Sequence, residues 1–177
     1  MREQAETVQQ IADEHGGQGF EWATRPEDRS RLWNARHTAY FAMLQLKPGC
    51  KSVTTDVCVP ISRLADCVTE TERDLNASQL PCPIVGHVGD GNFHVAILVD
   101  PDKPEEMAEA EDINRRIVER ALAMGGTCTG EHGVGLHKMG FLVQEHGEDA
   151  LDLMRAIKAA LDPNQILNPG KIFSAAR

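Results

Sequence analysis

The sequence has 177 residues, which is long enough for one domain with a substantial hydrophobic core. Its apolar share of 41% and charged share of 25% are ordinary for a globular protein. The net charge of −9 argues against nucleic acid or an anionic membrane as the main partner. No apolar run approaches the roughly 18 residues of a membrane-spanning helix, so we expect a protein that is not transmembrane.

Helical periods alternate with short runs rich in β-branched residues. In chain order, the predicted elements are a helix over 3–14, a strand over 19–24, a helix over 26–46, a strand over 52–59, a helix over 61–75, a β-hairpin over 84–99, a helix over 102–124 and a helix over 147–161. This order predicts an α+β fold, ferredoxin-like, in which helices pack on one face of an antiparallel sheet and a helical segment ends the chain.

The five cysteines are odd in number and never form C-x-x-C. Free, mostly buried thiols in a reducing compartment are the interpretation that fits this pattern. We therefore expect a cytoplasmic protein, at most peripheral to the inner membrane.

The hairpin sequence VGHVGDGNFH places two histidines beside a tight turn. A two-residue turn at Asp90 and Gly91 would set His87 directly opposite His94, with Cβ atoms about 5 Å apart on one face of the sheet. The opposite face would then be continuous core. Its expected members are Ile84, Val88, Phe93, Val95, Ile97 and Val99.

Two imidazoles on adjacent strands make a ready clamp for a metal ion, but they also fit a polar, solvated face. A clamp needs a further ligand, and the candidate is Glu131 in the glycine-rich stretch GGTCTGEHGVGLHK. Two histidines and one carboxylate leave coordination positions open for a substrate. Next to such a ligand, His132 becomes a candidate general base instead of an ordinary surface histidine.

Five motifs, read in chain order, resemble those of one enzyme family. They are LWNARHTAY, TTDVCVPISRL, VGHVGDGNFHVAILV, GTCTGEHGVGLHK and LDPNQILNPGKIF. The chain resembles the C-terminal region of the FAD-linked 2-hydroxy-acid dehydrogenases, flavoenzymes with the vanillyl-alcohol-oxidase type of fold. The resemblance is strongest to the cytochrome-linked branch that oxidises D-lactate, with glycolate oxidase flavin subunits and D-2-hydroxyglutarate dehydrogenases as near relatives.

The resemblance implies that FAD takes hydride from the α-carbon of a small D-2-hydroxy acid and passes the electrons to a cytochrome, a quinone or another acceptor. It also implies that His87, His94 and Glu131 bind a divalent metal, zinc or manganese, and that His132 removes the hydroxyl proton.

By the same resemblance, Arg36 and Lys51 contact the substrate carboxylate and Asn168 contacts the flavin ring. From the sequence alone, Arg36 and Lys51 are equally well read as solvated surface charges. The hydroxyglutarate branch has an asparagine where this chain has Ala96, so the resemblance favours a short aliphatic acid such as lactate.

Residues 1–177 correspond to the C-terminal substrate and metal domain of that family, and the N-terminal FAD-binding domain is absent from this sequence. We expect the domain to work with an FAD-binding part, in a longer enzyme or on a separate chain. Two other functions fit the same residues: a non-haem iron oxygenase with two histidines and one carboxylate, and a binding domain that recognises hydroxy acids without turnover.

Overall fold

The computed structural model describes residues 2–173, which contain six α-helices and four β-strands. The helices are α1 (Arg2–Glu14), α2 (Pro26–Leu44), α3 (Ile61–Leu75), α4 (Pro104–Ala123), α5 (Leu142–His146) and α6 (Glu148–Leu161), with a short 3₁₀ turn at Met139–Phe141. The strands are β1 (Lys51–Thr54), β2 (Val57–Cys58), β3 (Ile84–His87) and β4 (Asn92–Val99). The chain divides into two compact units, one up to Met43 and one from Leu44 onward.

The first unit holds α1 and nearly all of α2, and neither helix has a buried side chain. Residues 17–24 between them have no regular secondary structure, so the predicted strand over 19–24 is wrong. Alternating side chains are not enough for a strand, because its N–H and C=O groups need a neighbouring strand to pair with.

The second unit is built around β4, which pairs antiparallel with all three other strands. On one side, Thr54 pairs with Ala96 and Val57 pairs with Phe93, so two residues lie between these pairs on each strand. β1 and β2 therefore form one continuous run that pairs with β4 in a single register and is interrupted only at residues 55–56. The predicted strand over 52–59 is correct apart from this interruption.

On the other side of β4, the hairpin differs from its predicted register. His87 pairs with Asn92, and Val85 pairs with His94, so the turn has four residues and not two. The shift is two residues, and side chains alternate with period two, so each residue stays on its predicted face. Val88 is the exception: it lies in the turn and is 72% exposed, not part of the core.

The core lies between one face of the sheet and helices α3 and α4. The buried residues of the core include Phe93, Val95, Ile97 and Val99 from β4, Leu64 and Cys67 from α3, and Ile113, Ile117 and Val118 from α4. This arrangement confirms the α+β class with an antiparallel sheet, and α5 and α6 form the expected C-terminal helical segment. Within residues 2–173, no helix is both long and apolar enough to cross a membrane.

Candidate metal centre and active site

The two hairpin histidines lie side by side on the face of the sheet opposite to Phe93. His87 ends β3, and His94 lies two residues after the strand partner of His87. Their ring centroids are 5.5 Å apart and the rings are nearly perpendicular, at 80°. His94 is buried, because β4 is the central strand, whereas His87 is partly open to solvent.

Glu131 closes this pair into a cluster of three. Its Oε1 is 2.9 Å from Nε2 of His94 and 3.4 Å from Nε2 of His87. The three candidate ligand atoms all lie within 4.8 Å of one another. The structure thus brings together the three residues predicted to bind a metal.

The hydrogen bond of the other ring nitrogen of His94 shows which nitrogen carries the proton. Nδ1 lies 3.0 Å from the carbonyl oxygen of Thr55, which can only accept a hydrogen bond, so Nδ1 carries the proton and donates it. In a neutral ring with the proton on Nδ1, Nε2 is unprotonated and its lone pair points at Oε1 of Glu131, 2.9 Å away. Two acceptors at this distance need a proton or a metal cation between them. A histidine that donates one N–H to a backbone carbonyl and offers the other nitrogen is typical of a metal ligand.

Asn92 gives a second sign that this face is built to receive a cation or a polar ligand. It pairs with His87 across the hairpin and shares the face of His94 two residues on. Asn92 is only 5% exposed, yet its Oδ1 has no hydrogen-bond partner among the residues that the structure describes. Buried amide oxygens nearly always have a partner, so an unpaired one beside two imidazoles and a carboxylate fits a site that binds something further.

A second group of possible ligands is Asp56, His94 and His132, whose ligand atoms also lie within 4.8 Å of one another. Its carboxylate is already occupied, since Lys138 Nζ donates to Oδ2 at 2.7 Å and the amide of His132 donates to the same oxygen at 2.9 Å. An ammonium group this close repels a metal cation. The cluster of His87, His94 and Glu131 is therefore the better candidate.

Asp56 is the site residue that the sequence reasoning missed. It is completely buried, and burial by itself would raise its pKa, but hydrogen bonds from Lys138 and from the amide of His132 outweigh burial and hold the pKa well below its usual value. The feature of the sequence that could have identified Asp56 is its charge, since it lies within a predicted strand. Alternation from Val57 would have placed Asp56 on the non-core face, where His94 lies.

His132 lies flat against His94, with ring centroids 4.9 Å apart and only 7° between the planes. Its Nε2 is 3.7 Å from Glu131 Oε1, and its Nδ1 is 3.9 Å from Asp56 Oδ2. Both distances exceed a hydrogen bond, and the side chain is 48% exposed. The predicted base thus stands at the edge of the cluster, where it also lines a cleft of about 740 Å³ between β1, α4 and the loop up to Lys138.

Two further predicted site residues, Lys51 and Arg36, belong to other elements of the fold. Lys51 pairs with Val99 at the far end of β1, on the opposite face and about 17 Å along the strand from Asp56 at roughly 3.4 Å per residue. Arg36 belongs to the first unit, where its guanidinium lies 5.2 Å from the centre of the Trp33 ring. Their roles as carboxylate contacts stay predictions.

Asn168 lies in an exposed turn after α6, with a left-handed φ of 45°. The same C-terminal segment contacts the glycine-rich loop, because the amide of Ile172 donates to the carbonyl of Gly135 at 2.9 Å. The structure therefore ties this segment to the loop that carries Glu131 and His132, and the contact of Asn168 with a flavin stays a prediction.

Comparison with known proteins finds a matching family and similar sequences. Residues 1–172 match the family described as FAD linked oxidases, C-terminal domain. A probable mitochondrial D-lactate dehydrogenase of Danio rerio is 49% identical over 98% of this chain, which covers 35% of that protein. The mitochondrial D-lactate dehydrogenase [cytochrome] of Arabidopsis thaliana is 48% identical over 97% of this chain, which covers 30% of that protein.

The fold has a counterpart of known structure. The 4-ethylphenol oxidase of Gulosibacter chungangensis, solved as an isoeugenol complex, superposes with a TM-score of 0.58 at 23% identity, over 84% of this chain and 31% of that one. The chain spans about a third of the length of the two curated relatives. The chain belongs to the FAD linked oxidases, C-terminal domain family.

Proposed function

We propose that this chain is the substrate- and metal-binding part of a flavin-dependent dehydrogenase that oxidises D-lactate, or a similarly short D-2-hydroxy acid, to the 2-keto acid. The observation that carries the proposal is the convergence of Nε2 of His87, Nε2 of His94 and Oε1 of Glu131 within 4.8 Å, with His132 stacked beside them. Two imidazoles and one carboxylate suit zinc or manganese and leave positions open for a substrate.

His87, His94 and Glu131 would hold the divalent metal, which when bound lowers the pKa of a coordinated hydroxyl group and orients the substrate. His132 would then accept the hydroxyl proton at Nε2, the ring nitrogen on the side of Glu131. Its other ring nitrogen, Nδ1, lies 3.9 Å from Oδ2 of Asp56. FAD, when bound, supplies the acceptor for the hydride that leaves the α-carbon.

Ala96 supports a short substrate. It follows His94 by two residues on β4 and so lies on the same face. Its side chain is buried and has no group that could pair with a second carboxylate. A dicarboxylic acid such as 2-hydroxyglutarate would leave a charged group without a partner there, which is costly in a buried site. Two relatives at 48–49% identity are named D-lactate dehydrogenases, which favours lactate over glycolate.

The FAD-binding part is proposed to lie outside this sequence, in the same enzyme or on a separate chain, with residues 1–177 acting as one C-terminal domain. The electron acceptor would be a cytochrome, in keeping with the name of the Arabidopsis relative. The glycine-rich loop around Gly133 leads into a 3₁₀ turn and the five-residue helix α5, not from a strand directly into a long helix, which is the arrangement that holds a pyrophosphate. We therefore expect the purified chain to bind no stoichiometric FAD and to oxidise no lactate by itself, which a visible spectrum after removal of excess FAD would show.

Metal binding tests the proposal directly. The wild-type chain should bind one equivalent of Mn²⁺ or Zn²⁺ in a calorimetric titration, and His87→Ala or His94→Ala should abolish stoichiometric binding because each removes one of three protein ligands. His15→Ala is the matched control, since His15 lies in the first unit and is exposed. Stoichiometric metal in both cluster variants would refute the assignment.

Substrate choice is tested with the FAD-binding part present. D-lactate, glycolate and D-2-hydroxyglutarate are compared at equal concentration with a dye or cytochrome as acceptor. The highest kcat/KM should be that for D-lactate. Turnover that requires iron and molecular oxygen would instead support a non-haem oxygenase.

A further inference from the structure

We propose that Asp56 is a positioning residue that holds Glu131 and His132 in place, with Lys138 as its counter-ion. Asp56 is completely buried, and its carboxylate is bonded to the loop and to Lys138. The inference rests on the proposed function, in which Glu131 binds the metal and His132 accepts the proton.

The loop from Thr129 to His132 is folded around this one carboxylate. The amide of Glu131 donates to Oδ1 at 3.1 Å, and the amide of His132 donates to Oδ2 at 2.9 Å. The hydroxyl of Thr129 donates to Oδ2 at 3.1 Å. The backbone of both functional loop residues is therefore fixed by the same side chain.

The backbone of Asp56 holds the same loop. Its carbonyl accepts the amide of Gly130 at 3.4 Å and the ammonium of Lys138 at 3.2 Å. Asp56 lies in the interruption between β1 and β2, at the position opposite His94 on β4. The backbone of Asp56 thus hydrogen bonds to the loop, and it does so opposite the histidine that Glu131 faces.

The carboxylate is required chemically, and an amide of the same shape would not replace it. All the groups that point at it are donors: two backbone amides, one hydroxyl and one ammonium. An asparagine would turn an NH₂ group toward at least one of these donors and would leave the ammonium of Lys138, which is only 12% exposed, without its counter-charge. The substitution Asp56→Asn therefore leaves the side-chain volume nearly unchanged while it removes the charge and at least one of the hydrogen bonds that hold the loop.

The test measures the loop and the metal site separately. In Asp56→Asn, amide hydrogen exchange at Glu131 and His132 should accelerate about 10- to 100-fold, because each loses a hydrogen bond to a charged acceptor. The affinity of the chain for Mn²⁺ should fall about 10- to 100-fold, as is usual when the partner that orients a ligand is lost. Exchange at the buried α4 amides, such as that of Ile117, should be unaffected.

Asp74→Asn is the matched control. It removes another carboxylate held by two cations, Arg116 and Arg120, at a distance from the loop in the α3–α4 contact. It should destabilise the chain without changing Mn²⁺ affinity or exchange at Glu131, which separates positioning from a general loss of stability.

Unchanged exchange at Glu131 and His132 in Asp56→Asn would overturn the inference, and so would faster exchange with wild-type Mn²⁺ affinity. A wild-type chain that binds no Mn²⁺ would overturn the proposed function, and hydrogen exchange, which needs no metal, would then still decide whether Asp56 holds the loop.

Discussion

Gly130 precedes Glu131 and lies directly against the side chain of Asn92. A Cβ added to Gly130 would be 2.8 Å from Nδ2, 2.9 Å from Cγ and 3.0 Å from Oδ1 of Asn92, whereas ordinary contacts begin at 3.4 Å. Asn92 is only 5% exposed, so the packing around it limits how far its side chain can move. In Gly130→Ala, the loop must therefore move away from β4 by about 0.6 Å, the difference between 3.4 Å and 2.8 Å.

A movement of this size is large for a metal site. Metal–ligand distances vary by only about 0.2 Å, and functional side chains have to be held within about 0.5 Å. Because Glu131 is the next residue, we expect its carboxylate to move out of reach of the position shared with His87 and His94. The affinity for Mn²⁺ should fall about 10- to 100-fold, the usual loss when a supporting contact of a ligand is disturbed.

Titration calorimetry with Mn²⁺ measures the effect, and Gly89→Ala is its control. Gly89 is in the hairpin turn, and a Cβ there would meet nothing within 4 Å. Wild-type affinity in Gly130→Ala would refute the reasoning.

In the enzyme with its FAD-binding part, His132→Asn should lower kcat about 100-fold or more with metal content intact, since it removes the base but no ligand; near-normal turnover would exclude this role. Arg36→Ala should raise the KM for lactate, and an unchanged KM would count against a contact with the carboxylate. Burial would raise the pKa of Asp74, but hydrogen bonds from Arg116 and Arg120 lower it, so its stabilising effect is present above about pH 4 and is lost as pH falls through the lowered pKa. Asp74→Asn should therefore lower the free energy of unfolding by about 2 kcal/mol at pH 7 and by much less in strong acid, measured by urea titration; equal losses at both pH values would contradict this.

The hairpin shows why a face is easier to predict than a register. Asp90-Gly91 favours a two-residue turn, yet the amide of Asp90 donates to the carbonyl of His87 at 2.8 Å and closes a longer turn. Contacts outside the hairpin decide this, since the amide of Val59 donates to the carbonyl of Gly91 at 2.9 Å. The period of two kept both histidines on one face, so the predicted metal ligands come together even though the predicted pairing is wrong.

Asp56 and Lys51 show the limit of motif reasoning. Lys51 lies near the start of a motif-rich stretch, but its position in β1 directs it to the opposite face of the sheet from His94. Asp56 lies in the same stretch, within the motif TTDVCVPISRL. Its importance depends on a loop more than 70 residues later in the chain, and local sequence carries no information about that contact.

β4 has a consequence for how this protein can vary in evolution. Every residue from Asn92 to Val99 is buried, and neighbouring positions face different demands. Phe93, Val95 and Ile97 fill a core and can exchange with other apolar side chains of similar volume. Asn92 and His94 face the candidate metal centre, where a side chain must also supply the right polar atoms. A saturation mutagenesis library of this strand should therefore tolerate apolar exchange at Phe93, Val95 and Ile97 and little change at Asn92 and His94, so that residues of one strand are under two different kinds of selection.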